Sequence, residues 1–286
     1  MKSIFRTIVF AAVLLVAVSC NIDWVYIQVP NTNWTITQDE QQAFVHFGAG
    51  DRCCILQRSN VNGAVQFING TYLADGHAVD VLSDEGSSNR LIRTFSHLKN
   101  SKNKNFSTFK PQDYENVDNT VWTSLKQDNF RILYFSDDGR MTAAGFDNVR
   151  HEEGVPYGWY QKGTTYTHSG NHVGFGQESG TLFPEVMLVE DVWFMHFPVG
   201  ENTGTSALKG TLWTYETTSY PGIIIFDSNS SFTRVLVASR ILYQVSRGTY
   251  TLKGNTITMT LDGKTEECLV ANDRFTFMER TYSLFE

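Results

Sequence analysis

One block of sequence occurs three times in this chain, and this internal repeat constrains the fold more than any other feature. The segment Asn31–Thr35 recurs at 119–123 and at 210–214, each time with a tryptophan in the fourth position. The tryptophans lie 88 and 91 residues apart, and a phenylalanine follows each after 13 residues: Trp34, Trp122 and Trp213 with Phe47, Phe135 and Phe226. Because tryptophan is rare, this agreement indicates three diverged copies of one module. Rings that every copy keeps are expected to lie in hydrophobic cores.

Each copy has the pattern of short β-strands joined by tight turns. The third copy predicts eight strands, at 211–216, 223–227, 232–238, 241–252, 256–261, 266–271, 274–278 and 282–285. Threonine and apolar residues alternate over 256–261, which is typical of a strand with one buried face. Glycine and asparagine occupy the turns, where they accept the positive φ of a tight hairpin. No helical pattern follows Val18, so the sequence predicts an all-β protein.

Eight consecutive short strands favour an antiparallel meander that closes into a small barrel and so removes its exposed edges. A propeller fits less well, because its blades recur about every 40–50 residues. The tryptophan strand, the phenylalanine turn and the hairpin motif at Gly248–Asn255 resemble the lipocalin-like repeat domains of envelope lipoproteins from Bacteroidetes. That resemblance implies three tandem lipocalin-like β-barrels over residues 31–286.

The repeats also predict the boundaries along the chain. We expect a signal peptide, a short tether and three β modules, at 1–19, 20–30, 31–112, 116–203 and 207–286. The segments between the modules are polar, which is typical of connections between folded units.

The first nineteen residues are typical of a bacterial signal peptide. Two basic residues precede the apolar run Ile8–Val18, which is shorter than the roughly 20 residues that span a bilayer. Small residues before Cys20 resemble a lipobox, which predicts acylation of that thiol. An ordinary secretory signal is the alternative, since Ala17 and Ser19 also fit a cleavage site. We expect a protein of the bacterial cell envelope, held at the outer membrane by its N-terminal lipid.

The charge balance bears on the partners. The chain has 30 acidic and 23 basic residues, a net charge of −7. An acidic surface repels nucleic acid, so no nucleic-acid partner is expected. Three lysines between 99 and 104 are interpreted as part of a solvated loop.

No recognisable catalytic or metal motif is present. His168 and His172 are four residues apart, but they fall on a predicted hairpin without a third ligand, and His151 lacks the second histidine of a zincin. Serines occupy no nucleophile elbow, and no glycine-rich phosphate loop occurs. The sequence therefore predicts no catalytic residue, no metal and no cofactor. An unrecognised hydrolase is the third choice for the function.

Three cysteines remain besides Cys20. Because the envelope is oxidising, Cys53, Cys54 and Cys268 could form a disulfide, and a bridge from Cys268 would connect the first and third copies. Their odd number favours buried thiols instead. Adjacent strand residues point to opposite faces, so only one of Cys53 and Cys54 is expected to face the core.

The second copy alone has a longer segment between its phenylalanine and the Thr165–Tyr166 pair, with the extra residues near 149–158. Tyr157 lies in this loop, and Tyr160 is expected to face outward from the next strand. Tyrosine offers a large rigid face and a hydroxyl to sugars and proteins. We predict that Tyr157 and Tyr160 bind a glycan or a protein partner without chemistry. The alternative is a carrier that holds a small apolar ligand inside its barrels.

Overall fold

The computed structural model describes residues 26–61, 64–126, 129–147, 158–197, 206–215, 222–237 and 242–285. Cys20 and the signal segment lie outside these ranges. Within them the regular structure consists of 24 β-strands and no helix, which confirms the all-β prediction. No helix in the described part of the chain is long and apolar enough to cross a membrane.

The first eight strands form a closed antiparallel barrel. They are β1 (Thr32–Gln38), β2 (Gln41–Phe47), β3 (Arg52–Ser59), β4 (Ala64–Asp75), β5 (Ala78–Ser83), β6 (Ser88–Arg93), β7 (Leu98–Lys99) and β8 (Asn105–Thr108). Each strand pairs with the next, and β8 returns to pair with β1. The first barrel therefore has no free edge inside its ring.

The next eight strands form a second closed barrel of the same order. They are β9 (Thr120–Lys126), β10 (Asn129–Phe135), β11 (Arg140–Asp147), β12 (Gly158–Ser169), β13 (His172–Phe175), β14 (Glu178–Phe183), β15 (Val186–Val189) and β16 (Val192–Phe197). The ring closes where β16 pairs with β9.

The last eight strands make a curved sheet that stays open. They are β17 (Leu212–Tyr215), β18 (Gly222–Ile225), β19 (Ser231–Val237), β20 (Leu242–Lys253), β21 (Thr256–Leu261), β22 (Lys264–Leu269), β23 (Arg274–Phe277) and β24 (Arg280–Leu284). Strands β22 and β23 form no ladder, and only an isolated bridge joins Ala271 to Arg274. At this gap the Glu266 carboxylate accepts a hydrogen bond from the Met278 N–H at 2.8 Å.

The expectation of three separate barrels is therefore wrong in its finer part. Hydrogen bonding closes two barrels, and the third set of strands continues the sheet of the first. The junction is the antiparallel pairing of β20 with β4, where Tyr243 lies opposite Val65. These long strands extend beyond their own modules, and pairing satisfies backbone groups that would otherwise be an exposed edge.

The repeated Thr-x-Trp motif closes one end of each unit. All three indoles are buried, at 1%, 0% and 2% exposure for Trp34, Trp122 and Trp213, and the repeated phenylalanines are buried beside them. Each indole N–H donates to the threonine two residues earlier, at 2.8 to 2.9 Å. Each threonine hydroxyl donates in turn to a carbonyl three residues before it. The prediction that these rings are core residues is confirmed.

Each unit has its own hydrophobic core, and a fourth hydrophobic cluster lies between the three units. It contains Phe44, Leu56 and Phe67 from the first unit, Phe130 and Trp193 from the second, and Ile223, Ile225 and Val235 from the third, among others. Several strands are consequently buried on both faces, which explains runs such as Ile223–Phe226 that are apolar without alternation. Tertiary packing, rather than the closure of each barrel, sets this pattern.

The burial of the cysteines follows from the same arrangement. Cys53 points into the first barrel and Cys54 into the cluster between the units, so both are buried. The expectation that only one of them faces a core was wrong, because β3 has a core on each side. None of the three thiols forms a disulfide among the described residues, and Cys268 lies in the interior of the third unit.

Candidate functional site

A cavity of about 660 Å³ opens at one end of the first barrel. Its mouth lies between the turn after β1, at Asp39–Glu40, and the loop 100–102 after β7. This volume is within the range of sites that hold small organic ligands, about 300–1,000 Å³.

Strand alternation decides which side chains reach the cavity. On β1 and β2 the ladder pairs Trp34 with Val45 and Ile36 with Ala43. Because alternate residues share a face, these four side chains point into the barrel. The floor is aliphatic and aromatic, formed by Ile36, Val45, Ile55, Ile68, Leu91 and Phe106.

The far end of the barrel is blocked, so the cavity has one opening. The Phe47 and Tyr72 rings meet edge to face with centroids 4.8 Å apart, and the Tyr72 hydroxyl donates to the Gly48 carbonyl at 3.1 Å. The Arg93 guanidinium is buried and donates to the Gly76 carbonyl at 2.9 Å. A ligand would therefore enter and leave by the mouth.

Carboxamide side chains line the wall above the floor: Gln38, Gln41, Gln57, Asn89 and Asn100. The Asn100 amide donates to Gln38 at 2.9 Å, which ties the loop after β7 to the end of β1. Gln57 and Asn89 make no side-chain hydrogen bond within the described residues. Their register partners, Ala43 and Val81, face the interior, so both amides point toward the cavity.

The charged groups at the mouth sum to one net negative charge. Arg90 pairs with Asp80, with Nε and Oδ1 2.8 Å apart. Asp39, Glu40 and Lys102 are exposed at the rim. The loop with three lysines, interpreted as a solvated loop, thus also forms one lip of the cavity.

The same register position is filled in the second barrel. There Ser124 and Arg131 take the places of Ile36 and Ala43. The Arg131 guanidinium lies 5.5 Å from the centre of the Phe194 ring and pairs with Glu178 at 2.8 Å. An ion pair over an aromatic ring therefore occupies the equivalent space.

The third unit fills this position in a different way. Tyr215 pairs with Gly222, and its ring lies so close to this glycine that a Cβ atom at position 222 would overlap it. The Arg280 guanidinium lies 4.6 Å from the ring centre and donates to the tyrosine hydroxyl. The Tyr282 ring packs at 5.3 Å on another side.

The predicted binding tyrosines are not tested by these contacts. Tyr157 lies outside the described residues. The backbone of Tyr160 belongs to β12 and pairs with Ala144, but its side chain lies outside the description. Sequence reasoning missed the cavity, although the signal existed: the inward pair of the first copy lacks the bulky residue found in the other two.

No group of three or more metal-binding side chains occurs in the described ranges. His168 lies on its hairpin, with Nε2 3.0 Å from the Gly170 carbonyl oxygen. That position agrees with the interpretation of His168 and His172 as ordinary hairpin residues.

A buried carboxylate lies at the start of the turn after β18. Asp227 is fully buried and accepts hydrogen bonds from Ser231 at 2.6 Å and Thr233 at 2.5 Å, with Arg247 at 3.5 Å. Burial raises its pKa, and the nearby Arg247 charge opposes that shift. The Asp227 carbonyl also accepts the Tyr134 hydroxyl of the second barrel at 3.0 Å. Since solvent does not reach the carboxylate, we assign it to the structure of this junction.

Comparisons with known proteins give no family assignment. No family model matches the chain, and no curated protein matches it. Among solved structures, it aligns with the DNA polymerase III beta-subunit sliding clamp of Bartonella birtlesii at 8% identity over 90% of this chain and 92% of that one, with a TM-score of 0.15. The corresponding subunit of Thermotoga maritima aligns at 9% identity over 90% and 91%, with a TM-score of 0.17. TM-scores this low carry no structural or functional argument.

Proposed function

We propose that this protein binds a small molecule in the mouth of its first barrel, as a carrier or receptor without catalysis. The observation that carries the proposal is the one-ended cavity of about 660 Å³ with an apolar floor and a polar wall. Such a combination is the usual form of a small-ligand site, in which apolar surface gives affinity and a few polar groups give orientation.

The internal repeat supports this choice. The three units share one strand register at the Ile36–Ala43, Ser124–Arg131 and Tyr215–Gly222 positions. In the second and third units a large side chain fills the space, whereas the first unit leaves it open. The open end leaves the apolar floor in contact with water, at a cost of roughly 25 cal/mol per Å² of apolar surface. Occupation by a ligand would recover part of that loss.

The proposed location is the bacterial cell envelope, with Cys20 as the lipid anchor at the outer membrane. We expect Cys20→Ala to shift the protein from the membrane to the soluble fraction and to abolish fatty-acid labelling, because the acylated thiol is removed. Labelling that persists in this variant would contradict the anchor. Contact of Tyr157 and Tyr160 with a glycan or protein partner stays a separate proposal.

The cavity is tested by filling it with the arrangement of the third unit. We expect Ile36→Tyr with Ala43→Gly to weaken binding of the neutral apolar dye N-phenyl-1-naphthylamine by roughly tenfold or more, since the ring would occupy the dye's space. Fluorescence titration of the full chain measures the affinity.

The matched control is Thr37→Tyr, which adds the same ring to the exposed outer face of β1. It should leave dye binding unchanged. Equal dye affinity in wild type and in a folded double variant would refute the proposed site.

A further inference from the structure

We propose that the cavity of the first barrel takes an uncharged amphiphile, namely a neutral glycoside with a short aliphatic chain. This inference rests on the proposed function and adds the chemical class of the ligand. Three properties of the lining lead to it: the apolar floor, the free amides of the wall and the small net charge at the rim.

The floor fits an aliphatic chain. Val45, Ile55, Leu91 and Phe106 are buried side chains at its base. They offer no hydrogen-bonding atom, so a polar group placed among them would lose its water without replacement. A methylene group gains from the same transfer, and each one buried should tighten binding about fourfold.

The wall fits hydroxyl groups. A carboxamide presents both donors and an acceptor, and Gln57 and Asn89 have neither kind satisfied by another described side chain. A hydroxyl group also donates and accepts, so adjacent sugar hydroxyls would meet both needs of each amide. A carboxylate only accepts and an ammonium group only donates, so either would leave half of these groups unpaired.

The charges exclude a strongly ionic headgroup. Asp80 neutralises Arg90, and the exposed rim residues Asp39, Glu40 and Lys102 leave one net negative charge at the mouth. Asp39 and Glu40 would repel an anionic headgroup. A cationic headgroup would have to leave the cavity to pair with them, because both are exposed at the rim. Burying an uncompensated charge in the apolar part would be costly.

Isothermal titration of the full chain with monomeric octyl glucoside, hexyl glucoside, octanoate and octanol tests this assignment. We expect octyl glucoside to bind roughly 15-fold more tightly than hexyl glucoside, which is two methylene steps. It should also bind about tenfold more tightly than octanoate or octanol.

The amide role is tested by Gln57→Leu with Asn89→Leu, which keeps side-chain bulk and removes the hydrogen-bonding atoms. We expect octyl glucoside binding to weaken roughly tenfold while octanol binding is kept or strengthened. Asn105→Leu removes an exposed amide from β8, outside the cavity, and should change neither affinity.

The outcomes separate the two proposals. If octanoate binds as tightly as octyl glucoside, or if the double leucine variant keeps full glucoside affinity, the ligand class is wrong while the cavity remains a binding site. If neither the dye nor any of the four probes binds, the proposed function itself fails. If only octanol and the dye bind, the site is a plain apolar pocket and the sugar assignment is overturned.

Discussion

The first barrel and the third unit are built on the same strand register, yet the same inward position borders a cavity in the first and is filled by a tyrosine ring in the third. At the same position the first has Ile36 opposite Ala43, and the third has Tyr215 opposite Gly222. The bulk of these two facing residues differs between the units while the ladder keeps both backbones in the same register. Divergence after duplication could therefore change the interior of a unit without changing its strands.

The largest expected effect tests what the two units have in common. Trp213→Ala should destabilise the third unit by about 3–5 kcal/mol, since it deletes a fully packed ring. Trp34→Ala should cost a similar amount and also deepen the cavity, which would alter dye affinity. Chemical denaturation followed by circular dichroism measures both.

Thr211→Val is the control for the tryptophan series, because it keeps the ring and removes the hydroxyl that accepts the indole N–H and donates to the Leu208 carbonyl. It should cost about 1–3 kcal/mol. A well-folded Trp213→Ala protein with unchanged stability would show that the repeated tryptophan is not a core residue.

A second comparison concerns the residue opposite each tryptophan on the last strand of its unit. Thr108 lies opposite Trp34, His196 opposite Trp122 and Leu284 opposite Trp213. The His196 ring stacks on Trp122 with centroids 4.6 Å apart, and its Nε2 atom has no hydrogen-bond partner among the described residues. Burial lowers the pKa of His196 from the usual 6.5 to about 4, and the Arg247 charge adds to the shift.

A lowered histidine pKa means that the unfolded chain takes up the proton first. The stabilisation is complete above pH 6.5 and is lost as the pH falls toward about 4, by about 3 kcal/mol at most. His196→Leu, which copies the third unit, should remove most of this loss. Denaturant unfolding at pH 7.5 and pH 4.5 measures the difference.

Part of the acid sensitivity should survive in His196→Leu. Burial also lowers the pKa of His46, against the opposing effect of Asp191, whose carboxylate lies 2.9 Å from Nε2. If the variant and the wild type lose equal stability at low pH, His196 is not the responsible group.

The smallest expected effect comes from substitutions that make the third unit resemble the first. Tyr215→Ile with Gly222→Ala should cost about 2 kcal/mol, since a packed ring is lost and the remaining space is only partly refilled. If bulk at this position alone separates the two units, the variant should gain a second dye site. A binding stoichiometry that stays unchanged in the folded variant would show that other side chains, such as Arg280, also close the third unit.

The repeat alone was sufficient for the local structure. Alternation at Thr256–Leu261 predicted β21 with the observed bounds, and the eight strands expected in the third copy are all present. The repeated tryptophans were assigned to the core because every copy keeps them, and all three are buried. These features depend on residues close in sequence, and strand alternation reports them directly.

The candidate site was harder to find from sequence. The prediction favoured Tyr157 and Tyr160, because a longer loop is visible in an alignment of the copies, whereas a missing side chain inside a barrel is not. Recognising the cavity required knowing that Ile36 and Ala43 face each other and that Gln57 lies beside them, which is a matter of register.

The sequence by itself determined the strands, their turns and the rings that close each unit, because these follow from short-range alternation and from a motif repeated three times. Only the tertiary structure decided that β4 and β20 join two units into one sheet, that Cys53 and Cys54 are both buried, and that one barrel end is hollow. Each of these depends on contacts between residues distant in the chain. Side-chain packing and strand pairing among many distant residues stabilise these features together. No local sequence pattern shows how those contributions add up.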